Sequence, residues 1–315
     1  MSMQLQYRED FVQGIKRLLV EQSEDALQQL RSAKTEAAQH KAVHEVRRSF
    51  KKIRAGLRLI RDVVPFYKEV NVYYRDQARR ISLVRDATAN LEVFDLLEKR
   101  YSDGLKDQSL APIRQLLLEH QQSLAVEVFQ QNDTLHSMAY ELEAQINFIR
   151  DWDFKVKGFS AIRPGIQRVY ERGRKAMQKA HSKGKEKDWH EWRKRIKYLR
   201  YQIDILHRIW PGMMTSLETE LHTLSDLTGT DHDLHVLQHT LTELDEEMLQ
   251  QANGILLHAL IEKQQDLLQT HAYLLGRRVY HLPPKAFSGQ LGGYWKMYQR
   301  EIERKALPEL ESLRV

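Results

Sequence analysis

VHEVRRSFKKIRAGLRLIRDVVP (43–65) and WHEWRKRIKYLRYQIDILHRIWP (189–211) are one stretch written twice, at a constant offset of 146 residues and with no gap. His44/His190, Glu45/Glu191, Arg47/Arg193, Lys51/Lys197, Arg54/Arg200 and Pro65/Pro211 are identical, and most apolar positions between them correspond. A weaker match follows each copy: LVRDATANLEVF (83–94) against LTGTDHDLHVL (227–237), with Asp86 opposite Asp233 at an offset of 147. Internal self-similarity of this kind means one supersecondary unit used twice. The chain is therefore read as two helical halves, 1–150 and 151–315.

Helical periodicity extends outward from both copies. It predicts helices near 9–33, 36–63, 66–81, 85–101 and 110–149, a connection around 151–165, and helices near 165–181, 188–209, 213–228, 232–249, 254–280 and 284–306. Pro65 and Pro211 are read as helix ends, and the Gly184 region as a solvated loop. Composition agrees with an all-α fold: 14 Gly and 7 Pro in 315 residues, with abundant helix formers. There is no cysteine, which excludes disulfides, thiolate metal sites and cysteine nucleophiles. Residues 1–10 carry no apolar signal-peptide core, and no apolar run is long enough to span a membrane. The expectation is a soluble cytoplasmic protein.

At 100° per residue, His44, Arg47, Lys51 and Arg54 fall within about 80° of arc, as do His190, Arg193, Lys197 and Arg200. Arg58 extends the first row; Asp204 holds that place in the second. The apolar face (Val46, Phe50, Ile53, Leu57; Trp192, Ile196, Leu199, Ile203) lies roughly 110° away, which suits a groove wall beside the core seam. Cations aligned at helical spacing repel one another, and nothing acidic at i±4 compensates most of them. Net charge is only +6 from 49 basic and 43 acidic residues, so it is the concentration of cations that implies a polyanion. Arginine offers phosphate a bidentate fork, lysine a point charge, and histidine a hydrogen bond that protonation strengthens. Arg168, Arg172 and Lys175 share a face of a third basic segment (163–187), with Arg75, Arg79 and Arg80 as its counterpart in the first half.

These residues resemble the CHAD family, the conserved-histidine α-helical domain, whose hallmark resembles H-x-x-R-x-x-x-[KR]-[KR]-x-R occurring twice. The first copy supplies His44, Arg47, Lys51, Lys52 and Arg54; the second supplies His190, Arg193, Lys197 and Arg200, with Tyr198 in place of the second basic residue. Leu227, Gly229, Asp233, Leu234 and Val236 match an L-x-G-x-x-x-D-L-x-V form, whereas Arg85-Asp86 keeps only part of an R-D-x-D-V-like turn. Segments 165–177 and 282–295 are similar too. The resemblance implies two antiparallel helical bundles related by a pseudo-two-fold axis around a basic central groove or pore. It implies inorganic polyphosphate as ligand and polyphosphate granules as location. The phosphate donors would be His44, Arg47, Lys51, Lys52, Arg54, Arg58, His190, Arg193, Lys197 and Arg200, followed by Arg168, Arg172 and Lys175.

Other functions fit the residues less well. Glu301-Ile302-Glu303-Arg304-Lys305 spells the E-x-E-x-K string of phosphoanhydride-processing tunnel enzymes. It stands in a helical context, where alternate residues do not share a face. No Walker A loop, nucleophile elbow or metal-carboxylate cluster is evident, so no catalysis and no cofactor are expected. Asp231, His232, His235 and His239 have spacings that could hold a divalent ion, but Asp231 and Asp233 are read as a helix cap and a first-turn acid, and no metal is expected. Nucleic acid, RNA above all, is the runner-up ligand. The basic rows carry no aromatic side chain for base stacking; Tyr198 and Tyr201 only flank the second row, and Trp189 and Trp192 are assigned to the core.

Overall fold

The protein, described by a computed structural model for residues 3–102, 110–154 and 156–303, contains helices and no strand among those residues. Helix α1 (Phe11–Ser32) begins where the Asp10 carboxylate accepts a hydrogen bond from the Val12 amide at 2.9 Å. Its other oxygen accepts from the Gly158 amide at 2.9 Å, pinning the inter-half connection to the start of the chain. Helix α2 (Glu36–Leu59) is capped by Thr35 and carries the first basic row. Helices α3 (Tyr67–Arg80) and α4 (Ser82–Arg100) follow, broken at Ile81, then α5 (Ala111–Val126) and α6 (Thr134–Arg150).

The second half runs through α7 (Arg163–Lys183), α8 (Glu186–Ile205), α9 (Pro211–Leu244), the short α10 (Glu246–Gln250), α11 (Ala252–Val279) and α12 (Pro284–Glu303). Gly184 closes α7 in the left-handed conformation (φ 63°), as a helix-terminating glycine does. Packing repeats with the sequence: α1 lies along α2 and α6, and α7 along α8 and α12; α4 lies on α5, and α9 on α11. Between the halves, α2 crosses α8 and α4 lies against α9.

The apolar faces read from the repeat meet in one core. Val46, Phe50, Ile53 and Leu57 join Trp192, Ile196, Leu199 and Ile203, all at most 1% exposed. Burying such a side chain contributes about 1.5–3 kcal/mol, so the two halves are held together by the elements that carry the basic rows. A smaller cluster joins α4, α5, α9 and α11. Gly165 lets α7 approach the end of α2: a Cβ there would stand 2.3 Å from the Leu59 carbonyl oxygen.

Three element boundaries differ from the sequence reading. The single helix expected over 110–149 is interrupted by a π-helical turn (Glu127–Gln131) and by Asp133 at φ 42°; aspartate tolerates that conformation better than most residues. Helices expected at 213–228 and 232–249 are instead the continuous α9, so Asp231 and Asp233 are neither cap nor first-turn acid. Asp231 is buried and accepts from Gln269 Nε2 at 2.8 Å, while Asp233 faces Arg193. Pro211 begins α9 rather than merely ending α8, because a first-turn proline has no amide to lose. Of the E-x-E-x-K string, Glu301–Glu303 close α12, and Arg304 and Lys305 lie outside the described residues.

Candidate phosphate-binding cleft

Where α2 crosses α8, Gln202 Nε2 donates to the Ala55 carbonyl at 3.1 Å. To one side of this contact, the N-terminal parts of both basic rows turn toward each other. With α4 and the middle of α9 they enclose a cavity of about 300 Å³. His44, Arg47 and Lys51 line it from the first row and Arg193 and Lys197 from the second. Arg85, Asp86 and Ala89 come from α4; Ser225, Asp226, Gly229, Thr230, His232 and Asp233 come from α9.

The two arginines are aimed by matching carboxylates. Arg47 Nη1 donates to Asp86 at 3.1 Å and to the Ser82 carbonyl at 2.8 Å. Arg193 Nη2 stands 3.7 Å from Asp233, an ion pair longer than a hydrogen bond. The weaker sequence match around Asp86 and Asp233 is thus the record of these orienting acids. The expectation that the rows go uncompensated is corrected for the arginines: neighbouring helices, not the rows' own helices, supply the acids. It holds for the lysines. Among the described residues no carboxylate comes within ion-pair distance of Lys51 or Lys197.

Electrostatics follow from this crowding. Burial, then Arg47, Arg193 and Arg85, push Lys51 down to about 7, against a small opposing pull from Asp233. Lys197 falls well below the usual lysine range by burial, Arg193 and Lys51. Arg47 Nε, Arg193 Nε and Arg85 Nη1 are buried N–H groups with no hydrogen-bond partner, each costing about 1–3 kcal/mol while unmade. Gly229 faces Arg193, and a Cβ there would lie 3.7 Å from its Nε, so any longer side chain would enter the cleft.

The remaining sequence candidates lie elsewhere. His190 stands just behind the cleft, its Nδ1 3.2 Å from His232 Nδ1. Arg54 Nε donates to Asn71 at 3.3 Å, and Arg200 pairs with Glu218 at 2.7 Å. Arg58 lies 3.9 Å over the Tyr198 ring and donates to the Arg54 carbonyl. Lys52 is buried away from the cleft, within the fields of Asp204 and Asp25. Arg168 pairs with Asp62 at 3.0 Å, Arg172 with Glu191 at 3.8 Å and Lys175 with Glu171 at 2.6 Å. Arg85 and His232 were not among the candidates; they sit in the weaker match, where the two halves carry different residues. Among the described residues, no group of three or more acids and histidines could hold a metal ion, and no helix is long and apolar enough to cross a membrane.

The CHAD domain family model matches residues 21–242, which spans every residue that lines the cleft. The chain belongs to the CHAD domain family. The crystal structure of the CHAD domain from the plant Ricinus communis is similar over 85% of this chain and 89% of that one, with a TM-score of 0.57 and 15% identity, which shows a shared fold. Comparison with curated proteins finds no match. The matched CHAD span ends within α9, so α11, which covers the second core cluster, and α12 lie beyond it.

Proposed function

We propose that this CHAD domain binds inorganic polyphosphate as a linear chain and does not turn it over. The observation that carries this reading is the convergence of Arg47, Lys51, Arg193 and Lys197 on one cavity in which, among the described residues, neither lysine has a carboxylate within ion-pair distance. Four cations brought together from remote sequence positions raise the free energy of the empty cleft. A row of phosphates relieves it, since each phosphate accepts charge-assisted hydrogen bonds from several donors. The buried, unpartnered guanidinium N–H groups would be satisfied at the same time.

In this reading, His44, Arg47, Lys51, Arg193 and Lys197 contact phosphate directly. Arg54, Arg58 and Arg200 continue the rows past the α2–α8 crossing. Lys52, Arg168, Arg172 and Lys175 are engaged by acids and act only through long-range field. The repeated packing supports a pseudo-two-fold relation of the halves, its axis near Ala55 and Gln202, with the cleft as a central groove. A cytoplasmic location at polyphosphate granules follows from the ligand. The test is a salt-titrated comparison of long-chain polyphosphate, RNA of matched charge and ATP. Polyphosphate is expected to bind tightest, with affinity falling steeply with salt. Equal affinity for RNA would replace this reading with phosphate-backbone binding, and release of orthophosphate would overturn the absence of turnover.

A further inference from the structure

The ends of the cleft are built from different chemistry. On the first-half side Arg85 stands near His44; at the matching position of the second half stands His232, beside His190. Arg85 is permanently charged, paired with Glu92 at 2.9 Å and left with a buried, unpartnered Nη1. The His190 and His232 rings lie 4.5 Å apart between centroids, with their Nδ1 atoms 3.2 Å apart, and His232 faces the cavity. At that separation one Nδ1 must donate and the other accept. The neutral pair then presents one outward Nε2–H. A single added proton gives it two outward donors and a positive charge. A second would set two Nδ1–H groups against each other, so the pair takes up one proton at most.

We propose that His190 and His232 form a phosphate subsite that fills together with a proton, whereas Arg85, at the matching place of the other end, needs none. This rests on the polyphosphate reading above. The surroundings keep the empty pair neutral. Arg193, Lys194 and Lys197 on α8 face it with like charge, and Arg47 and Lys51 on α2 add to the cleft's field. The nearby acids are engaged: Glu191 by Lys194 and Arg195, Asp233 by Arg193, Asp86 of α4 by Arg47, Asp226 by His222, and Asp231, beside His235, by Gln269 of α11. Burial, Lys194 and Arg193 push His190 down to about 4, and burial, Arg193 and His190 push His232 down to about 2. A phosphate in the cleft reverses the balance, because it neutralises those cations and attracts the protonated pair through His232, the ring that faces the cavity. Binding therefore draws in a proton, and affinity rises as pH falls.

The test measures long-chain polyphosphate affinity between pH 8 and pH 6 for the wild-type chain, His232→Arg and the double variant His190→Gln/His232→Gln. The interior phosphates of such a chain do not titrate in this range. Lys51 and Lys197 are common to all three proteins, so the difference between their slopes reports the histidine pair. The wild type is expected to tighten more than either variant, by an extra factor of up to about tenfold per pH unit, the limit for one proton. His232→Arg, which copies the first half, should bind at pH 8 more tightly than wild type. Should either variant fold poorly, histidine ring NMR of the wild type decides: two rings are expected to shift toward the protonated form when polyphosphate is added at pH 7. Equal slopes, or ring signals unmoved by bound polyphosphate, would overturn the subsite and leave polyphosphate binding standing. Absence of binding at every pH would overturn the underlying function.

Discussion

The first half aims Arg47 with Asp86, and the second aims Arg193 with Asp233; beyond that shared device the two halves part. Arg54 is held by a neutral amide, Asn71, whereas Arg200 is held by a carboxylate, Glu218, at the matching place. The α3–α4 break at Ile81 has no counterpart in the unbroken α9. The two departures from the repeat, Tyr198 for Lys52 and Asp204 for Arg58, answer each other across the α2–α8 contact. Lys52 feels Asp204, and Arg58 lies on the Tyr198 ring. The duplicated helices thus carry the same residues where they line the cleft and different ones where they face each other. A charge introduced on one side of the α2–α8 contact has to be compensated on the other, because a lone buried charge is costly.

The largest effect is expected from striking what the halves share. Arg47→Glu with Arg193→Glu should reduce polyphosphate affinity by more than about 100-fold, the loss of several charge-assisted contacts, with far-UV circular dichroism unchanged. Retained affinity would remove the basic rows from the binding account. Lys51→Met and Lys197→Met singly should each weaken binding about tenfold, and by similar factors, since both lysines stand alone; a large inequality would show that the halves do not share the load. Asp204→Asn should destabilise the fold by about 1–3 kcal/mol through Lys52, read by denaturant unfolding, with smaller consequences for affinity.

A pH series without ligand separates the cleft from the scaffold. Lys51 is depressed to about 7 in the folded protein, so the unfolded chain binds more protons between pH 7 and the normal lysine range near 10.5. Stability therefore rises with pH across that window and is flat, as far as Lys51 is concerned, below 7. Thermal unfolding is expected at higher temperature at pH 9 than at pH 7 without polyphosphate. With it the trend should be weakened or inverted. A ligand-free trend of opposite sign would mean that Lys51 is not held among like charges. The smallest effect is expected from Glu218→Gln, which gives Arg200 an amide partner like that of Arg54 and should raise affinity about two- to threefold.

Much of the fold was legible, because burial is periodic. Val46, Phe50, Ile53 and Leu57, with Trp192, Ile196, Leu199 and Ile203, could be placed in the core from spacing alone, and they are there. The continuity of α9 was not legible. Asp231 and Asp233 have the look of helix-start residues, and only the partners Gln269 and Arg193 explain acids in mid-helix. In the cleft, the rows themselves were legible, but not the division within them. Arg54 and Arg200 share a helix face with Arg47 and Arg193, yet their neighbours are Asn71 and Glu218 rather than the cavity. Arg85 and His232 read as part of a turn motif and as a possible metal ligand rather than as phosphate donors, because a repeat draws attention to identities, and these positions differ.

An all-helical chain of two related halves, each bearing His, Arg, Lys and Arg in line, follows from residue order, since helix geometry places every third or fourth side chain on one face whatever surrounds it. That Lys51 comes to lie beside Arg193 and Lys197, and that Asp86 and Asp233 are spent on arginines while the lysines go unpaired, was settled by how α2 crosses α8 and how α4 and α9 close over them. Proximity across 146 residues is a property of packing, and the charge that a side chain carries depends on which neighbours packing supplies.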